Sequence, residues 1–111
     1  MITQGSRSFA GPFLAPLWSP PRAPGVYAVM IPGWRLLMFH PVHFGEAADL
    51  SAPGTLKEHP CYADWLALAG TEWNLYVATF EMYDSSEAVR QALQRELASV
   101  VSSTVRGPQH A

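Results

Sequence analysis

His40, His43, His59 and Cys61 are side chains of the kinds that bind transition metals. Together they invite a zinc site, but the spacing argues against one. Residues three apart on a regular strand face opposite sides, so Pro41 would have to bend His40 and His43 together. His59-x-Cys61 is not a common zinc spacing either. His43 has a second possible use, because imidazole titrates near neutrality and can act as a general base. Its plainer use is as a half-exposed strand histidine. Glu96 is the third chemical candidate. At 3.6 residues per turn it falls within about 20° of Val89, on the side of Ala92, Leu93 and Val100. A carboxylate aimed along an apolar stripe needs a hydrogen-bonding partner, a proton or a metal. Its plainer fate is a salt bridge at the stripe's edge. Gln94 lies toward that edge, and Arg90 and Arg95 read as a solvated helix face.

The elements that must position these groups follow from local chemistry. "GVYAVMI", Gly25 to Ile31, is β-branched and aromatic, and reads as a strand. Pro32-Gly33 signals a turn, and "WRLLMF" continues as a second strand, interrupted at Pro41 before "VHFGEA" resumes it. A short helix is expected to start near Pro60, bury Tyr62, Trp65 and Leu66, and stop at Gly70. "NLYVATFEM", 74–82, reads as a third strand. The clearest helix is "DSSEAVRQALQRELASVVSST", with Asp84 as its cap, Glu87 in capping-box spacing, and Val89, Leu93, Leu97, Val100 and Val101 as its apolar stripe. The order predicts an α+β domain: a small three-stranded, mostly antiparallel sheet flanked by helices. We expect a Pro-rich arm over 1–24, irregular or extended because it holds five of the ten prolines, the domain over 25–104, and a tail over 105–111.

Composition narrows the function classes. The chain has 111 residues, enough for one domain with a real core. Charged residues make up 14%, well below the usual one-quarter, which suggests that a partner or a second copy covers part of the surface. The net charge is −2 and Lys57 is the single lysine, so no basic stripe marks a nucleic-acid surface. One cysteine permits no internal disulfide and favours a reducing, cytoplasmic setting. No run is apolar and long enough to span a membrane, and the N-terminus does not read as a secretory signal.

With these segments in order, the stretch from about Pro24 to Val101 resembles the GIY-YIG nuclease superfamily. Gly25-Val26-Tyr27 looks like the "GIY" element, and His43-Phe44-Gly45 stands where "YIG" would be. "EAADL" resembles the lead into the family's first helix, "NLYVATF" its third strand and "VRQALQRELA" its last helix. The resemblance implies a machine in which strand tyrosines activate a water, an arginine steadies the phosphate, and a helix glutamate holds a divalent metal. Here Tyr27 remains and His43 replaces the second tyrosine, fifteen residues on. Lys57 is the nearest cation to the arginine's place, and Gln94 takes the metal-binding position. The helical wheel favours Glu96 instead. His59 looks like a histidine often found later in that first helix.

The leading expectation is a GIY-YIG-like domain that has lost nuclease chemistry and binds a protein partner or its own copy, with no cofactor. Trp34, Trp73 and His59 are the candidate binding residues, since exposed tryptophan marks interfaces. The alternative is a divergent nuclease or phosphodiesterase using Tyr27, His43 and Lys57, with Mg²⁺ or Mn²⁺ on Glu96. A third reading is a non-catalytic nucleic-acid binder with Arg7, Arg22 and Arg35 clustered.

Overall fold

The computed structural model describes residues 2–4, 7–33, 39–52 and 56–109, with side chains for those between 8 and 99. Trp34 and Arg35, and the Arg7 side chain, lie outside this set. The elements run β1 (Ile2–Gln4), β2 (Arg7–Leu14), β3 (Gly25–Pro32), β4 (Phe39–Ala47), α1 (Tyr62–Ala69), β5 (Tyr76–Glu81) and α2 (Glu87–Gln109). The strands form one antiparallel sheet in the order β1-β2-β5-β3-β4. No helix among the described residues is long and apolar enough to cross a membrane.

The α+β class is as expected, but the sheet is larger than three strands. The extra full-length strand lies in the Pro-rich segment, where β2 pairs with β5 at Ala10↔Thr79, Phe13↔Val77 and Leu14↔Tyr76. The register shifts between Ala10 and Phe13, and Gly11 takes φ +110° there. A bulge absorbs the missing N–H of Pro12, which is how a proline is tolerated within a sheet. Phe9 is fully buried on the α2 side, whereas Phe13, beyond the bulge and opposite Val77, is 41% exposed.

Alternation along β3 divides the core in two. Val26, Ala28 and Met30 join Phe9, Phe44, Ala78, Leu93 and Leu97 on the α2 side. Tyr27 and Val29 join Leu50, Leu56, Trp65, Leu75 and Val77 on the α1 side. Helix α1 ends at Gly70, whose φ of +86° and N–H bond to the Leu66 carbonyl close the last turn. Helix α2 starts later than expected: the Val89 N–H donates to Ser86 Oγ, so Ser86 caps it. Asp84 instead takes φ +60° in the preceding turn.

Candidate functional site

Strand β4 carries His43 onto the α1 face. The β3–β4 register jumps between Val29↔His43 and Met30↔Pro41, leaving Val42 as the extra residue. The bulge places His40, opposite Ile31, and His43, opposite Val29, on the same face. The opposite-face expectation for these two histidines is thereby corrected. His40 nevertheless does not line the pocket that His43 lines.

That pocket has a volume of about 350 Å³ and is lined by Tyr27, His43, Gly45, Glu46, Ala47, Ala52, His59 and Gln94. Its His43 and His59 belong to a cluster of rings that continues behind the pocket to Trp65. His43 and His59 meet edge to face with centroids 4.9 Å apart, and Trp65 lies 4.9 Å from His43 and 4.6 Å from His59. Tyr27 is 6.0 Å from His43 by ring centroids. Tyr27 is only 3% exposed, yet its hydroxyl has no hydrogen-bond partner among the described residues. Gly45 pairs with Tyr27 across the strands, and a Cβ at Gly45 would overlap the Tyr27 ring and hydroxyl. Glycine is therefore needed here for close approach and not for an unusual backbone angle.

The protonation states follow from burial and from hydrogen bonds. Burial, then the charges of Glu46 and Cys61, push the Tyr27 hydroxyl up to about 12. Burial, then the nearby His59, hold the His43 imidazole down to about 4. Both side chains are consequently neutral at pH 7. His59 Nδ1 accepts the Cys61 backbone N–H at 3.0 Å, so neutral His59 carries its proton on Nε2.

Helix α2 reaches the same pocket through Gln94, whose Nε2 donates to the Phe44 carbonyl at 2.8 Å. That bond assigns the amide's orientation and leaves Oε1 as its other polar end. One turn earlier, Arg90 is 5% exposed and grips the β4 edge. Its Nε donates to Glu46 Oε2 at 3.0 Å, and its Nη1 donates to the Ser85 carbonyl at 2.7 Å and to Ser85 Oγ at 3.2 Å. Arg90 is thus not on a solvated face, while Arg95 is exposed. Leu93 and Leu97 are buried, Val89 is 52% exposed and Glu96 is exposed. The helix is rotated so that 90, 93, 94 and 97 face inward, and Glu96 does not point along the apolar stripe.

The remaining expected residues lie apart. Lys57 is exposed and borders a different depression, under the arm, lined by Ala15, Trp18, Leu50 and Leu56. Trp73 is 53% exposed on a 3₁₀ turn, Glu72–Asn74. A second 3₁₀ turn, Ala15–Leu17, is tied beside it by the Ala15 N–H to Leu75 carbonyl bond and exposes Leu17 by 71%. Arg22 is exposed near Asp49.

Among the described residues, no three of His, Cys, Asp and Glu come together as a metal-binding group. The donors present also fit Mg²⁺ or Mn²⁺ poorly. Gln94 offers a neutral amide, Glu46 is paired with Arg90, and Glu96 is outside the pocket. The Glu46–Arg90 pair and the Tyr27–Gly45 contact were not anticipated from sequence. The spacing of Arg90 with Leu93, Gln94 and Leu97 carried the signal for the former. Compared with family models, curated proteins and solved structures, the chain matches none.

Proposed function

We propose that this chain is a GIY-YIG-like domain without phosphodiester-cleaving chemistry that works as a protein-binding module. The observation that carries the reading is Gln94. It stands at the position resembling the family's metal-binding glutamate, it lines the pocket with Tyr27 and His43, and its amide is engaged with the Phe44 carbonyl. Two further observations support it. General acid–base catalysis works best with groups that titrate near the working pH, and Tyr27 and His43 are displaced to about 12 and about 4. The exposed Leu17 and Trp73 side chains, on neighbouring turns, are the kind of apolar surface that a protein partner or a second copy covers.

The test is cleavage of single- and double-stranded DNA and RNA with Mg²⁺ or Mn²⁺, with His43→Ala and Glu96→Gln run beside the wild type. The expected result is no cleavage by any of the three. Wild-type cleavage that His43→Ala abolishes overturns the reading and restores the nuclease. Light scattering of wild type and Trp73→Ser then decides whether the partner includes a second copy.

A further inference from the structure

The Tyr27 pocket is a built site in this fold. Its floor is a side chain 97% removed from solvent whose hydroxyl is unpartnered among the described residues. No fully buried polar side-chain atom among the described residues lacks a partner, so this hydroxyl is not sealed off but open to a ligand from the pocket. The groups around it are sorted into donors and acceptors by bonds they already make. His59 presents Nε2–H, because Nδ1 is occupied by the Cys61 N–H. Gln94 presents Oε1, because Nε2 is occupied by the Phe44 carbonyl. Glu46 has Oε1 to spare, because Arg90 holds Oε2. Tyr27 both donates and accepts, and neutral His43 has one nitrogen of each kind.

This set suits neither a free anion nor a free cation. Among the described residues no Lys or Arg lines the pocket to meet an anion, and the carboxylate of Glu46 is already neutralised by Arg90. The surroundings also keep Tyr27 protonated and His43 unprotonated, so the pocket disfavours charge of either sign. What it offers is a mixture of donors and acceptors around a void of about 350 Å³, with ample room for a side-chain end.

We propose that this pocket receives an uncharged primary carboxamide, the end of an Asn or Gln side chain on the protein partner. In this arrangement its carbonyl accepts from Tyr27 Oη and His59 Nε2, and its NH₂ donates to Gln94 Oε1 and Glu46 Oε1. The inference rests on the binding-module reading and names the chemistry of its ligand.

The test is a titration of the full chain with four probes: N-acetylglutamine methylamide, N-acetylalanine methylamide, N-acetylarginine methylamide and inorganic phosphate. The His43 and His59 ring signals and the Gln94 side-chain amide are followed by NMR. The glutamine probe is expected to shift all three saturably, and to bind about three- to tenfold more weakly to Tyr27→Phe, the loss of one neutral hydrogen bond. Thermal unfolding of Tyr27→Phe checks that it remains folded. Absence of shifts with the glutamine probe overturns the inference, as does equal or tighter binding of any other probe, or unchanged affinity in Tyr27→Phe. A chain that cuts no nucleic acid yet ignores the carboxamide keeps the module reading and loses only this one.

Discussion

Val26, Ala28 and Met30 look toward α2, whereas Tyr27 and Val29, one residue out of step on the same strand, look toward α1. The α2 side is packed with side chains that can only fill space. Phe9 stacks on Phe80 at 5.5 Å, and Leu93 and Leu97 close over Met30 and Phe44. The α1 side places Tyr27, His43 and His59 among its hydrophobes and leaves a pocket beside them. One strand thus serves packing with its even residues and chemistry with its odd ones. Substitutions on the first side should cost stability, and those on the second should cost recognition.

The largest departure from that division is Arg90, a charged residue in the packed side. Arg90→Ala leaves Glu46 with its partner gone in a mostly buried place, and is expected to cost about 3–5 kcal/mol by urea denaturation. Replacing both, as Arg90→Met with Glu46→Leu, should recover most of that loss. Leu97→Ala, at a side chain 1% exposed, should cost about 3 kcal/mol and leave the His43 and His59 ring signals in place. On the other side, Gly45→Ala drives a methyl into Tyr27. A loss of about 2 kcal/mol is expected, and a double-mutant cycle with Tyr27→Ala, itself costly at a buried ring, should show a favourable coupling of similar size.

Smaller effects sharpen the contrast by pH. The His43 imidazole is held down to about 4 in the folded chain against 6.5 in the unfolded one. Between these values the unfolded chain binds more protons, so stability is full above about 6.5 and falls as pH drops toward about 4. His43→Leu should flatten that acid limb in urea midpoints. Tyr27, raised to about 12 from 10.0, gives the opposite limb, with stability lost as pH rises through that interval. Tyr27→Phe should remove it while changing stability at pH 7 by less than about 1 kcal/mol, since the hydroxyl makes no hydrogen bond with the described residues and is not sealed from solvent.

The parts of this arrangement legible in the sequence were those set by short-range rules. β3 announced itself through "GVYAVMI" and α1 through its stop at Gly70, whereas Pro32, expected in a turn, is the last residue of β3 and pairs with Phe39. Three features depended on distant partners and were not legible. β2 exists because β5 offers it an edge, so its prolines misled. The phase of α2 is fixed by where Leu93 and Leu97 meet the sheet, and a wheel centred on Val89 turned Glu96 inward and Arg90 outward. Arg90 becomes buried only because Glu46, far away in the chain, waits on β4.

The β2–β5 pairing also sets an order of events for a chain emerging from the ribosome. Ala10 is made well before its partner Thr79. β3 and β4 can form their hairpin as soon as both are synthesised, but Phe9 and Phe13 have no edge to join until β5 arrives. β2 is therefore incorporated only after β5 is made, and until then its aromatic residues are open to chaperones or to neighbouring chains.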